Sequence, residues 1–183
     1  MGAVRVNGST SGYVELAAPA VAGSTVLTLP TGTGTLLKAE GGKVLQTLSV
    51  TKINSFSTSS TSFTDVTDLT LTITPSSASN KILVMSMLTL RNNLANYNTG
   101  ARVIRGASTV VSGSSADYGD MVFSGDNRFG TSVYMILDSP ATTSALTYKI
   151  QVRNEGGSTS AAQVNDLSGR LGTSSFTVIE VSA

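Results

Sequence analysis

Alternation of apolar and polar residues is the feature that most constrains the fold of this chain. In residues 69–74, leucine or isoleucine alternates with threonine, the period-two pattern of a strand with one buried and one solvent-facing side. The next run, residues 82–90, is apolar at nearly every position, so both of its faces should be covered. A serine-rich turn at residues 75–80 separates the two runs. The stretch predicts two paired strands of an all-β domain.

The same kind of pattern continues to the end of the chain, and no segment shows helical periodicity. We expect about eight strands, at the spacing of a sandwich or barrel. The candidate strands are residues 43–53, 62–66, 69–74, 82–91, 101–105, 109–111, 131–137, 146–153 and 175–181, of which the second and third can form one bent strand. An antiparallel chain with this strand number and length predicts a two-sheet jelly-roll β-sandwich.

Residues 1–42 differ in character from the rest of the chain, and we interpret them as an extended N-terminal arm or attachment module on a sandwich domain at residues 43–183. Two short strand-like runs, residues 13–17 and 25–29, are separated by a segment of small residues. So few large apolar residues cannot form an independent core. The arm therefore needs support from the main domain, from a neighbouring copy or from another protein.

The composition of the chain excludes several classes of function. Cysteine and histidine are both absent, which removes disulfides, thiolate nucleophiles, histidine bases and nearly all zinc sites. Charged residues make up 13% of the chain and the net charge is +1, so a basic surface for nucleic acid is not expected. No apolar stretch fits a signal peptide or a membrane span. We expect a protein that is not an enzyme and uses no cofactor.

One cluster of carboxylates raises the question of a metal or catalytic site. Asp117, Asp120 and Asp126 lie close together in the sequence, but their spacing does not fit a calcium-binding EF-hand loop, and solvated turn aspartates explain them as well. A glycosidase needs two carboxylates facing each other across a sugar. The acidic residues are scattered and tryptophan is absent. No catalytic, cofactor-binding or metal-binding residue is therefore assigned.

Long loops at residues 92–100, 112–130 and 154–173 are the places where specific recognition is most expected. Arginines and aromatic residues in or near them can bind a partner, although solvated charges and loop-pinning rings are the ordinary alternative. These residues are Arg91, Arg102, Arg105, Arg128, Tyr97, Tyr118, Phe123 and Phe129. The serine-rich run at residues 56–63 offers hydroxyls but no base to activate them.

Two stretches resemble a known class of proteins. Residues 9–37, STSGYVELAAPAVAGSTVLTLPTGTGTLL, resemble a module of structural proteins of tailed phages, especially cyanophages, that precedes a β-rich domain. Residues 43–84, with KVLQTLSVTK, FSTSSTSFTDV and LTLTITPSSASNKILV, resemble the opening of that domain. Such domains are similar to the trimeric tumour-necrosis-factor-like jelly rolls.

The resemblance implies a homotrimeric virion structural protein, assembled in the host cytoplasm. A short arm on one compact domain favours a capsid decoration or cement protein, bound through the arm to the major capsid protein or another virion protein at the capsid surface. The alternative is the tip of a tail fibre or head fibre, an adhesin for a host receptor such as a surface glycan.

One prediction concerns the outer face of the strand at residues 82–90. Met85 and Met87 lie on one side of this strand and Val84, Leu88 and Leu90 on the other. An apolar outer side is expected to be covered by another subunit, or by the arm or a loop of the same chain. The sequence favours neither cover over the other.

Overall fold

The computed structural model describes residues 3–7, 13–17, 43–94, 97–107, 109–110, 120–122, 129–166 and 169–183. These residues form antiparallel strands and one short 3₁₀ turn at Gly157–Thr159. The strands are β1 (Ala3–Asn7), β2 (Tyr13–Ala17), β3 (Val44–Lys52), β4 (Phe56–Thr58), β5 (Thr64–Ile73), β6 (Lys81–Asn92), β7 (Thr99–Arg105), β8 (Thr109–Val110), β9 (Asp120–Val122), β10 (Phe129–Asp138), β11 (Leu146–Asn154), β12 (Ala162–Val164) and β13 (Ser174–Val181).

The chain separates into two compact units, Met1–Lys38 and Ala39–Ala183. In the first unit β1 and β2 form an antiparallel pair with Val4 opposite Leu16. The predicted strand at residues 13–17 is confirmed as β2. Its partner β1 was not predicted, and the predicted strand at residues 25–29 lies outside the described residues. The role of residues 1–42 as an attachment arm stays a prediction.

The second unit is a jelly-roll sandwich of two antiparallel sheets. In the first sheet the long strands lie in the order β3, β13, β6, β10. The short strand β12 pairs with the C-terminal end of β6, and β4 pairs with β12. In the second sheet the order is β5, β11, β7, with β8 and β9 both pairing to β7. The chain passes from sheet to sheet in the pattern of two Greek keys. The predicted all-β jelly roll is confirmed.

The core lies between the two sheets and is built from the inward residues of the alternating strands. β6 shows the principle, because Ile82, Val84, Leu88 and Leu90 are fully buried at every second or fourth position. Facing them across the sandwich are the inward side chains of the second sheet, which include Leu69, Ile73, Val103, Tyr148, Ile150 and Val152.

The bend in β5 explains an irregular spacing in the sequence. Val66 and Leu69 are both buried, although residues three apart in a regular strand face opposite sides. Between them Asp68 has a φ of 66°, and the register with β11 shifts at the same place. This bulge turns both apolar side chains to the core. The two predicted strands at residues 62–66 and 69–74 are thus one bent strand.

The sequence analysis missed three strands of the second unit, each three residues long. β4 lies in the serine-rich run, and β9 and β12 lie in segments that were predicted as loops. Three residues are too few to show alternation, so their pairing depends on neighbouring strands rather than on their own pattern. β12, for example, pairs with both β6 and β4.

Candidate interaction surface

The outer surface of the first sheet carries an apolar patch on β6 and β10. The two strands pair so that Val133 lies opposite Met87, Met135 opposite Met85 and Leu137 opposite Leu83. Because side chains alternate along a strand, all six project from the same side, away from the core. We call these six residues the β6–β10 face.

The β10 half of this face is strongly exposed. Val133, Met135 and Leu137 expose 65%, 68% and 59% of their surface, and Met87 beside them exposes 44%. Scattered exposed apolar residues are normal on proteins, but a contiguous group marks an interaction surface. Within the described residues of the second unit, no further layer covers this side of the sheet, and the predicted cover of β6 stays a prediction.

A shallow depression of about 150 Å³ lies in the β6–β10 face. Its lining is uncharged and includes the outward side chains of Met85, Met87, Val133 and Met135, so it suits an apolar side chain better than an ion or a sugar. The lining residues are Met85, Ser86, Met87, Val133, Tyr134, Met135, Ser175 and Thr177.

The outer surface of the second sheet is polar, in contrast to the first. Asp65 accepts hydrogen bonds from Lys149 Nζ at 2.8 Å and from Gln151 Nε2 at 2.6 Å. The hydrogen bond from Lys149 is the main reason why the pKa of the Asp65 carboxyl is lowered. The Arg102 guanidinium lies 3.9 Å from the centre of the Phe63 ring, a favourable cation–π contact. The two outer surfaces therefore differ in kind, and the first is the one suited to apolar docking.

The buried carboxylate of Glu180 joins the turn between β5 and β6 to the last strand, β13, through hydrogen bonds. Glu180 accepts hydrogen bonds from Asn80 Nδ2 at 2.6 Å, from Gln46 Nε2 at 2.6 Å, and from both the backbone N–H and the hydroxyl of Ser76. Burial alone would raise the pKa of the carboxyl, but these donors outweigh it and lower the pKa to about 2. Glu180 is thus held as a structural carboxylate.

A second polar cluster joins the two sheets at the end of β10. The Tyr148 hydroxyl donates a hydrogen bond to Asp138 Oδ2 at 2.6 Å, and Arg105 Nη1 donates to the same oxygen at 2.5 Å. Burial, helped by the Asp138 carboxylate, raises the pKa of the Tyr148 phenol. A phenol with a raised pKa stays protonated and keeps donating its hydrogen bond, so this cluster joins the two sheets.

The predicted recognition loops at residues 92–100 and 154–173 meet at Asn154. Its Nδ2 donates to the backbone oxygens of Gly157 at 2.6 Å and Ser160 at 3.0 Å. Its Oδ1 accepts hydrogen bonds from Asn92 Nδ2 at 3.0 Å and from Ser160 Oγ at 2.7 Å. One buried amide therefore holds both loops at one end of the sandwich.

The arginines weighed as candidates for partner binding, and assigned to no site, make contacts within the domain where they are described. Arg91 is buried, and its Nη1 lies 3.6 Å from Oδ1 of Asp166. Arg105 forms an ion pair with Asp138. Arg102 donates a hydrogen bond to Gln151 Oε1 at 2.8 Å and stacks on the Phe63 ring. Arg128 lies outside the described residues. None of the three described arginines is presented to solvent as a lone binding charge.

The other predicted candidates divide between the described and undescribed parts of the chain. Phe129 is exposed at the start of β10, and Tyr97 is partly exposed beside Gly156. Asp120 begins β9, whereas Asp117, Asp126, Tyr118 and Phe123 lie outside the described residues. In the serine-rich run, the Ser60 hydroxyl donates to the Ser62 carbonyl in a local turn. The described side chains contain no group of three or more potential metal ligands.

The β6–β10 face was only half anticipated from the sequence. Met85 and Met87 were predicted to lie on an outer side, but the β10 residues were not, because residues 133–137 read as one continuous apolar run. The alternation that could have revealed them is Val133, Met135 and Leu137 against Ser132 and Tyr134.

Among the helices of the described structure, none is long and apolar enough to span a membrane.

Comparisons with known proteins gave structural similarity alone. No protein-family model matches the chain, and no curated protein sequence matches it. Among solved structures, a chain of the T13 viral particle of infectious bursal disease virus is similar with a TM-score of 0.45 and 14% identity, over 94% of this chain and 42% of that one. The Gx strain of the same virus gives 0.42 and 15%, over 94% and 43%. VP2 in T=1 particles of this virus gives 0.40 and 14%, over 97% and 44%.

The chain thus spans less than half the length of the solved chains that it resembles. TM-scores below 0.5 at this identity are too low to transfer a function. Any function proposed for the chain therefore depends on its own residues and geometry.

Proposed function

We propose that the chain is a virion structural protein of a tailed phage, a decoration or cement protein that binds the capsid surface and stabilises the head. The observation that carries this proposal is the exposed, uncharged β6–β10 face, because an apolar surface of this kind serves assembly rather than catalysis. The resemblance of residues 9–37 and 43–84 to phage structural proteins supports it.

In this proposal the protein is a homotrimer that uses residues 1–42 to hold the major capsid protein or another virion protein. An extended arm can add backbone hydrogen bonds along a seam between capsid subunits. Trimers match the local threefold positions of an icosahedral shell. A protein that binds the assembled shell and not its free subunits raises the apparent stability of the shell by mass action. Assembly takes place in the host cytoplasm, and catalysis has no part in the function.

The second candidate is an adhesin at the tip of a tail or head fibre. It is favoured by one observation, the anchoring of two long loops at the same end of the sandwich by Asn154. Loops held by a rigid scaffold are a common place for recognition. A host-surface glycan or protein would be the partner there, and the arm would attach the domain to the fibre.

Deletion of residues 1–42 tests the proposal. The full chain should cosediment with purified capsids that lack it, and the truncated chain should not, although its sandwich domain stays folded with an unchanged thermal midpoint. A truncated chain that binds capsids as well as the full chain would contradict the arm-mediated attachment. Binding of the full chain to host cells and not to capsids would support the adhesin instead.

A further inference from the structure

We propose that the outer face of the first sheet packs face to face against the same face of a second copy of this chain, about a twofold axis that crosses the strands. The contact is separate from the proposed attachment to the capsid, because that attachment uses residues 1–42. It is also separate from the proposed homotrimer, because a threefold ring joins two unlike surfaces, whereas a twofold contact joins one surface to itself.

The uncharged surface extends beyond the β6–β10 face onto the neighbouring strands β13 and β3. In the middle row of the sheet Met135 lies opposite Met85 on β6. Met85 lies opposite Thr177 on β13, which in turn lies opposite Ser49 on β3. The same registers place further uncharged residues on this side of the sheet, so that β13 and β3 contribute Thr47, Ser49, Thr51, Ser175, Thr177 and Ile179. We call these residues and the β6–β10 face together the four-strand face.

The four-strand face is large enough for a stable contact between two copies. The three outward residues of β10 are 59–68% exposed and Met87 is 44% exposed, and the outward hydroxyl residues of β3 are exposed as well. With the partly exposed residues between them, the face presents on the order of 1,000 Å², against roughly 800 Å² per partner in a standard interface. Packing of two sheets face to face covers the outward side chains of both.

Hydroxyls in the middle row of the face are already paired within the sheet. Ser49 Oγ and Thr177 Oγ1 lie 2.8 Å apart and share a hydrogen bond between β3 and β13. Burial of a polar group is costly when the group has no hydrogen-bond partner. Ser49 and Thr177 keep their hydrogen bond at a sheet-to-sheet contact, so this half of the face can be covered at little cost.

The division of the face into two halves identifies a second copy as the occupant. Strands β10 and β6 present an apolar half, and strands β13 and β3 present a half in which hydroxyls predominate. A twofold axis across the strands, through the middle row, places each strand over the same strand of the second copy. Apolar residues then pack on apolar residues and hydroxyls on hydroxyls over the whole face. An axis along the strands would, at full overlap, place apolar β10 over hydroxyl-rich β3.

The outer surface of the second sheet is a poorer partner for the four-strand face. It carries the charged side chains of Asp65, Lys149 and Arg102. An apolar partner would desolvate these charges, which costs free energy. A contact of the four-strand face with itself buries no charge of either face, which favours a twofold contact over a chain of unlike contacts.

The shallow depression in the β6–β10 face lies on the proposed axis. Its lining includes three residues of the middle row, Met85, Met135 and Thr177. Methionine side chains are flexible and fill irregular gaps. The methionines of the two copies therefore suit closure of the facing depressions when the sheets meet.

The variant Ser49→Cys in the full chain tests whether the contact reaches β3. The chain has no natural cysteine, so a bismaleimide can join only introduced residues. Residue 49 lies in the middle row, and packed sheets are about 10 Å apart, so a short bismaleimide should convert most of the chain into a covalent dimer. Thr72→Cys is the matched control, because Thr72 lies on an edge strand of the second sheet and shares a hydrogen bond with Thr147 at 2.9 Å. It should stay uncrosslinked.

The variant Met135→Asp tests whether the same contact reaches β10. Residue 135 is 68% exposed in the single chain, so the thermal midpoint should change little. The native mass by light scattering should fall by half, because the new charge would be desolvated at the contact. Thr72→Asp, on the other sheet, should leave the mass unchanged. Ser49→Cys combined with Met135→Asp should no longer crosslink, since only a contact that spans the sheet from β3 to β10 depends on both residues.

The mass of the wild-type chain in solution should be an even multiple of the chain mass of 18.7 kDa. A mass of one chain or of an odd number of chains would overturn the proposal. So would crosslinking at residue 72 as efficient as at residue 49, or an oligomer whose mass Met135→Asp leaves unchanged. Cosedimentation with capsids is measured for the same variants, and capsid binding that persists in any of these cases would leave the proposed function standing.

Discussion

The ammonium nitrogen of Lys52 lies 3.3 Å from Oδ2 of Asp68. Lys52 is completely buried, whereas Asp68 lies at the bulge of β5 with a positive φ. Lys52 also donates to Asn54 Oδ1 at 2.6 Å, and Asn54 donates to the same Asp68 oxygen. The hydrogen bonds from Asn54 and Lys52 lower the pKa of the Asp68 carboxyl. The Lys52–Asp68 ion pair thus connects a buried ammonium group to the β-bulge that turns Val66 and Leu69 inward.

Replacement of Asp68 should destabilise the domain, and the loss should depend both on how well the new residue adopts a positive φ and on whether it keeps a partner for Lys52. Asp68→Ala removes the carboxylate and places a residue that disfavours positive φ at the bulge. Asp68→Asn tolerates the conformation and keeps an acceptor, so it should be less harmful. Urea denaturation should give midpoints in the order wild type, Asn variant, Ala variant. An alanine variant as stable as the wild type would refute the coupling.

The Glu180 carboxylate predicts an acid-sensitive stability. Its pKa is about 2 in the folded chain, against 4.5 for an ordinary glutamate. A carboxyl with a lowered folded pKa stabilises the fold above pH 4.5, and this contribution is lost as the pH falls toward 2. The free energy of unfolding, measured by urea denaturation across this range, should decline with acidity.

Glu180→Gln is the matched variant for the acid dependence. At pH 7 it should unfold with a free energy roughly 1–3 kcal/mol lower, as expected for disruption of buried hydrogen bonds. Its stability should change less than that of the wild type between pH 4.5 and 2. If the free energy of unfolding falls equally in the two proteins between pH 4.5 and 2, Glu180 is not the cause of the acid sensitivity.

Met87→Lys should disturb assembly more than folding. Met87 is 44% exposed on the β6–β10 face, so a lysine can extend its charge into solvent in the single chain. At an apolar contact the same charge would be desolvated without a partner, which is costly. We expect an unchanged thermal midpoint of the isolated chain and a lower native mass by light scattering. An oligomer of unchanged mass would place Met87 outside any contact.

Asn154→Ala should release the two loops that the wild-type amide holds. The variant leaves the Gly157 and Ser160 carbonyls and Asn92 without this partner, and such losses cost about 1–3 kcal/mol each when the groups stay buried. Amide hydrogen exchange should accelerate around residues 92–98 and 156–160, with little change in β13. Asn93→Ala is the control, since the exposed side chain of Asn93 accepts a single described hydrogen bond, from the Ala161 N–H, and the backbone bond from Asn93 N–H to Ala161 survives the substitution. Equal exchange in the two variants would contradict the anchoring role.

Much of the fold could be predicted because the long strands carry their own alternation. β6, β11 and β13 were located within two residues of their ends, since each buries alternate side chains against the opposite sheet. The bulge at Asp68 could be suspected only from the odd spacing of Val66 and Leu69. The left-handed conformation that resolves it occurs at Asp68, whose carboxylate contacts Lys52, 16 residues away in the sequence.

The interaction surface was less predictable for a physical reason. Residues 133–137 are apolar almost throughout, and such a run fits a strand buried on both sides. Its position at the edge of a sheet, where Val133, Met135 and Leu137 face outward, follows from long-range pairing with β6. The buried roles of Arg91 and Glu180 likewise depend on partners 75 and 100 or more residues away.

A density map of the virion tests the central claim, decoration of the capsid, most directly. We expect density for the β6, β10 and β13 sheet and its sandwich at many equivalent positions on the outer surface of the head, with residues 1–42 in contact with capsid subunits. Density for the chain confined to a tail or head fibre, in a few copies, would contradict the decoration role and establish the adhesin in its place.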